Sequence, residues 1–234
     1  MPIQKKSKKL PIKISGNDLK AFQWMAEQGA MSVEQLWHAI WKTNDSTYPF
    51  KRVKRIVDHG FLERLPRTFG GSRYYRITHK AYDLLCDPRL KIQTKIPIQR
   101  IKPSELPHCS ALTDLRISVE NSGKGIVWTS DRVLALELKN TRLRSRVLCP
   151  DAIYLTKKGE RVAVEYERTR KVRSRVLKKI HSYTQELLRA DRFIDHVVWI
   201  VDPQANQEAY NLVKMSKFQS IQTTDSFKQI FKVS

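Results

Sequence analysis

The segment "HVVWIVD", residues 196–202, limits the fold more than any other stretch of the chain. Val197 to Val201 leave no polar side for water, so as a strand the run belongs inside a sheet covered on both faces. Its neighbours fit such a sheet. "GIVWTS" and "VLALEL" are strand material, the second also compatible with a helix. "VLCPDAIYLT" is a strand interrupted by Pro150, and a turn at Lys158–Gly159 joins it to "ERVAVEYERT" as an antiparallel pair. "HCSALTDLRISVEN" fits a helix ended by Gly123. "KVRSRVLKKIHSYTQELLRA" is a helix with Val172, Val176, Ile180, Tyr183 and Leu187 along one stripe. The order helix, strands, helix, strand predicts an α/β core with a mixed sheet.

That core contains an anomaly. Alternate strand residues share a face, so Ala163, Glu165 and Glu167 point one way while Val162, Val164 and Tyr166 point the other. Two carboxylates about 7 Å apart on one face of an apolar strand are costly unless a cation compensates. Asp151, on the adjacent strand, is placed to join them. Three hard oxygen donors suit Mg²⁺ or Mn²⁺, whose waters attack or position a phosphodiester. The alternative is an exposed sheet face with both glutamates paired to arginines such as Arg168, Arg170 or Arg175.

The first third has a different rhythm. Leu19, Phe22, Trp24, Met25 and Ala26 lie near helical spacing before Gly29. Ser32 and Gln35 match a capping box opening "SVEQLWHAIW". "STYPFKRVKRIVDHG" sets Val53, Ile56 and Val57 against Lys51, Arg52, Lys54 and Arg55. "FLERLPRTFGGSRYYRIT" reads as a hairpin turning at Gly70–Gly71, and "HKAYDLL" as a closing helix. Three helices followed by a two-stranded wing, over residues 15–87, resemble a winged helix-turn-helix domain. In such domains the third helix enters the major groove and the wing follows the backbone. The resemblance therefore implies DNA contacts by Lys51, Arg52, Lys54 and Arg55, with Arg67, Arg73 and Arg76 in or near the wing. The other use of this fold is protein contact alone. Residues 88–107, with Pro88, Pro97, Pro103 and Pro107, form the expected linker to a domain spanning 108–234.

Charge agrees with a nucleic-acid partner: 44 Lys and Arg against 23 Asp and Glu give +21 over 234 residues. The basic arm 1–14 either touches phosphates or serves as a solubilising tail, and it lacks the apolar centre of a signal peptide. No run of about 18 apolar residues occurs, so no membrane insertion is expected. Cys86, Cys109 and Cys149 make neither a metal pattern nor a disulfide framework, which points to buried structural thiols and a reducing, cytoplasmic setting. The 6 histidines show no zinc spacing.

"PD" at 150–151, acids at 165 and 167 and a basic helix after them resemble the PD-(D/E)xK nuclease superfamily, a restriction-endonuclease-like core (α+β overall with the first domain). Glu167 stands where that motif carries lysine. Some members move the lysine to the neighbouring helix, which nominates Lys178 or Lys179. The winged helix followed by "PHCSALTDLRI", "PDA", "VEYERT" and "KKIHSY" is similar to the MobC or replication-relaxation family of plasmid and integrative-element proteins. This similarity implies DNA nicking at an origin of transfer during plasmid mobilization or conjugation. The implied partners are duplex DNA with a nicked or single-stranded region, a relaxosome and a coupling protein. The expected endonuclease site holds Mg²⁺ or Mn²⁺ through Asp151, Glu165 and Glu167, with Lys179 stabilising the phosphate. Arg170, Arg175 and Lys178 would add DNA contacts. Tyr183 is either the nucleophile of a tyrosine relaxase or a core residue, and His108 either aids proton transfer or caps a helix. The rival readings are a DNA-binding accessory or regulatory protein with a nuclease-like relic, and a transposon-end endonuclease.

Overall fold

The computed structural model describes residues 11–66, 72–90, 96–98, 100–123, 125–139, 141, 149–169, 172–201, 203–216, 219–223 and 225–226. Its contacts divide the chain into two units, Met1–Pro103 and Ser104–Ser234. The whole is a mixed α/β protein with a three-stranded antiparallel sheet and a five-stranded mixed one.

In the first unit α1 (Gly16–Gln28) starts at a capping box in which Ser15 and Asp18 satisfy each other's backbone N–H. β1 (Met31–Ser32) leads into α2 (Val33–Leu36), which has the expected Ser32–Gln35 capping box and continues as a π-helical turn, Trp37–Trp41. α3 (Tyr48–Asp58) buries Pro49, Val53 and Ile56. β2 (Leu62–Arg64) and β3 (Tyr74–Ile77) pair antiparallel, with Glu63 opposite Arg76. The expected Gly70–Gly71 turn lies outside the described residues, as does Arg67. The two-residue β1 adds a third strand, against the far side of β3, which the hairpin pattern did not show. α4 (His79–Leu85) follows.

The second unit begins a few residues earlier than the proline-rich linker suggested. A 3₁₀ turn at Pro103–Glu105 runs straight into α5 (Leu106–Ser122). Pro107 does not prevent this, because a first-turn N–H has no intrahelical partner to lose. Gly123, at φ 62°, ends the helix in the left-handed conformation a Cβ disfavours. β4 (Gly125–Ser130) follows. The ambiguous "VLALEL" is helical, within α6 (Asp131–Leu138), with Leu134 and Leu138 on its buried side. β5 (Ala152–Thr156) and β6 (Arg161–Glu167) form the expected antiparallel pair, joined through Gly159 at φ 83°. α7 (Arg173–Leu187) then carries the chain across to β7 (His196–Val201), parallel to β6. Val172 does not belong to its apolar stripe, being the N-cap residue and 74% exposed. α8 (Pro203–Lys214) leads to β8 (Ser220–Gln222), a short parallel edge strand too polar to be read in advance.

The sheet order is β4-β5-β6-β7-β8, and each face is covered. α5 packs Leu112, Leu115 and Val119 against Trp128, Tyr154, Val162, Val164, Val198 and Ile200. On the other face α6, α7 and α8 bring Leu134, Val176, Tyr183 and Val213 onto Ile153, Ala163, Val197, Trp199 and Val201. The apolar run of β7 is thus divided between two cores, which is why neither of its sides is polar. Among the described residues no helix is long and apolar enough to cross a membrane.

Candidate functional site

The strand alternation places Glu165 and Glu167 on the face covered by α6, α7 and α8, and both are buried (0% and 1% exposed). The alternative of an exposed face lined by arginines is therefore excluded. Arg168 and Arg175 are exposed, and Arg170 lies outside the described residues. The compensating cation comes from α7: Lys179 Nζ donates to Glu165 Oε2 and stands 3.8 Å from Glu167 Oε1. Its ammonium also lies 6.0 Å from the centre of the Trp199 ring. Lys178, its neighbour on the helix, is exposed. Of the two candidate lysines, Lys179 is the one turned to the acids.

Tyr183, one helical turn beyond Lys179, donates its hydroxyl to Glu165 Oε1. It is fully buried and packs edge-on against Trp199 at 6.3 Å. Burial, followed by the charge and hydrogen bond of Glu165, raises its phenol well above the usual value. Of the two readings of Tyr183, nucleophile or core residue, the structure supports the core. It orients Glu165 and presents no oxygen to a phosphodiester outside the fold.

Trp199 and Gln219 complete the support, and the sequence reading had missed both. Trp199 Nε1–H donates to Gln219 Oε1 at 2.6 Å. Gln219 Nε2 in turn donates to Ile180 O at 2.9 Å and Thr184 Oγ1 at 3.1 Å. This chain of bonds fixes α7 over β7 and so fixes the height of Lys179. A tryptophan within an apolar strand was the available signal, since its N–H needs a buried acceptor.

Asp151 precedes β5, and the pairing of Ala152 with Val164 puts it next in line with Glu165. Its Oδ2 accepts the Tyr166 N–H at 2.7 Å, and its Oδ1 is 3.4 Å from His108 Nε2. His108 is a first-turn residue of α5, so its role is this contact with Asp151 rather than a helix cap. Burial pushes the Asp151 carboxyl up. The hydrogen bond and charge of His108, with Lys179 and the Tyr166 N–H, outweigh it and hold the group below its usual value. Glu165 goes the other way: burial first, then the charge of Asp151, push it to about 7 against Lys179 and Tyr183. Two acids one strand apart are thus set to different protonation ranges, as in acid–base sites. Lys179 is opposed by its own burial, yet Glu165, Asp151 and Glu167 together raise it, so it stays charged.

Among the described residues no group of three His, Cys, Asp or Glu is arranged to hold a metal ion. The expected set of Asp151, Glu165 and Glu167 is not assembled, because the Lys179 ammonium occupies the space between the two glutamates. Asp151 lies next in line with Glu165 on the neighbouring strand, and both Glu165 oxygens accept from Lys179 and Tyr183. Mg²⁺ takes one or two protein carboxylates and completes its shell with water and phosphate. Nor do the cysteines all behave as buried thiols: Cys86 and Cys149 are exposed, Cys109 is intermediate, and none is in a disulfide.

The basic residues of the first unit separate into two groups. Lys51, Lys54 and Arg55 are exposed on α3, and Arg73 is exposed just before β3. Arg52 is not part of that surface. It turns inward to the fully buried Asp18 carboxylate, with a second bond to Lys13 O at 2.8 Å. Burial pushes the Asp18 carboxyl up, but the hydrogen bond from Arg52, those from Ser15 and the Arg52 charge outweigh it and hold the group below its usual value. Arg76 is engaged by Glu63 across the hairpin. In the second unit Arg175 and Lys178 are exposed on α7.

No curated protein and no solved structure matches the chain. The family model described as replication-relaxation matches residues 22–197, from the middle of α1 to the second residue of β7. With three quarters of its length so matched, the chain belongs to the replication-relaxation family.

Proposed function

We propose that the protein acts in replication or mobilization of a plasmid or integrative element as a DNA-binding, divalent-metal-dependent nicking endonuclease. In this reading the first unit is a winged helix, docking on duplex DNA through Lys51, Lys54 and Arg55 of α3. The second is a PD-(D/E)xK-type core. The observation that carries the reading is Lys179: from α7 it reaches the acid that follows "PD" on the next strand, supplying the cation that Glu167 replaces in the strand motif.

Asp151 and Glu165 would hold the divalent ion, which when bound supplies Lewis-acid charge to the phosphate and lowers the pKa of a water. The remaining work belongs to the chain. Lys179, partly exposed, places a positive charge where phosphate oxygens gain negative charge as the phosphodiester is attacked. Tyr183 and the Trp199–Gln219 pair hold Glu165 and α7 in place. His108 keeps Asp151 ionised and oriented. Cleavage at an origin of transfer, with relaxosome and coupling partners, is part of the same proposal, and membership of the replication-relaxation family supports it.

One observation favours a second reading. Lys179 is already within ion-pair distance of both glutamates, so the cluster can stand without a metal as a buried ion-pair relic in a DNA-binding accessory protein. Nicking of supercoiled plasmid in Mg²⁺ or Mn²⁺ separates the two. The endonuclease reading expects open-circular product from the parent, and at least a roughly hundredfold loss for Asp151→Asn, Glu165→Gln and Lys179→Met, the usual scale for one electrostatic group. Equal rates in parent and variants would remove the site. Duplex binding by the parent with no product at any divalent-ion concentration would select the relic.

A further inference from the structure

One side of α3 buries Pro49, Val53 and Ile56, while Phe50, Lys51, Lys54 and Arg55 are exposed on the other. Phe50 and Lys54 are four apart, as are Lys51 and Arg55, so they form two adjacent stripes with the aromatic ring at the N-terminal end. Phe50 is 48% exposed. The three cations match a phosphate backbone, in a chain whose formal charge is +21. A phenyl ring does not. Its neighbour Tyr48 is accounted for, with its ring edge-on against buried Trp41 at 6.4 Å.

Residues near the N-terminus of a groove-bound helix are those that meet base edges. The apolar feature of the major groove is the C5-methyl group of thymine, which only A·T and T·A pairs present and which phenylalanine contacts. We propose that Phe50 is a specificity-determining residue that packs on a thymine methyl in the major groove, between phosphate contacts made by Lys51, Lys54 and Arg55. The inference rests on the first unit being a duplex binder and adds the base that it reads.

The test uses the full chain. Duplexes are selected from a random-sequence library, and each thymine of the selected site is replaced in turn by deoxyuridine, which removes only the methyl group. At one position the replacement should weaken binding by the parent about fourfold, the value of one buried methyl group. The same replacement should cost Phe50→Ala nothing. Lys54→Gln should keep the thymine preference while its log–log salt slope falls by about 0.9, one phosphate contact. If uracil is tolerated at every position by the parent, or if its penalty persists in Phe50→Ala, the assignment of Phe50 is overturned while duplex binding stands. If the parent shows no salt-dependent duplex binding, the duplex-binding reading itself fails, and α3 serves a protein partner.

Discussion

Glu165→Gln isolates the cost of placing a carboxylate under α7. The Glu165 carboxyl moves from an ordinary 4.5 in the unfolded chain to about 7 in the fold, mainly because burial disfavours its charge. The folded state therefore binds the proton more tightly than the unfolded state. Stability from this group is fully present below pH 4.5 and is lost as pH rises through about 7. Each pH unit between those values is about 1.4 kcal/mol, so holding Glu165 ionised costs the fold roughly 3 kcal/mol above pH 7. Glutamine keeps the shape and has no proton to lose; its carbonyl oxygen accepts from Lys179 and its amide N–H donates to the Tyr183 hydroxyl oxygen. Urea melts of parent and Glu165→Gln, taken at intervals from pH 4.5 to 8, should show the variant gaining about 3 kcal/mol on the parent across the range. The gain should be concentrated below pH 7. Other titrating groups cancel in the difference. Parallel stability curves, within about 0.5 kcal/mol throughout, would refute the claim that Glu165 is a strained carboxylate and leave it an ordinary ion pair.

Two further outcomes follow from packing in each unit. Asp18→Ala should destabilise the first unit by about 3–5 kcal/mol, because it strands Arg52 without its buried partner and removes half of the α1 capping box. A loss below 1 kcal/mol in urea titration would show that Arg52 reaches water instead. Gly125→Ala should cost about 1–3 kcal/mol, since a Cβ there runs into Val119 Cγ1 of α5. An unchanged thermal midpoint would mean that α5 yields freely, which its packing on the sheet denies.

Much of the architecture was legible because it is local or periodic. The parity of "VAVEYE" put Glu165 and Glu167 on one face. The unbroken apolar run of β7 demanded cover on both sides, and Gly123 and the Lys158–Gly159 turn marked where elements end. Short edge strands were not legible, because Met31–Ser32 and Ser220–Gln222 are strands only by virtue of the neighbour they pair with. Pro107 misled for a related reason: proline reads as a breaker until its position in the first turn is known. α3 misled more instructively. Four exposed-looking cations flank Val53, two on each side, yet Arg52 faces Asp18, an acid 34 residues away in the chain.

The site divides in the same way. Sequence alone determined that the two carboxylates share one strand face, since a strand's two-residue period is fixed by backbone geometry; that the face is buried was decided by the helices packed on it. Nor could sequence determine which cation answers them. That choice depends on the rotation of α7 about its axis and its height over β7, both set by the packing of Val176 and Tyr183 and by the Trp199–Gln219 hydrogen bond. A rotation of about 100° separates one helical residue from the next. That single step decides that Lys179 meets Glu165 while Lys178 faces water.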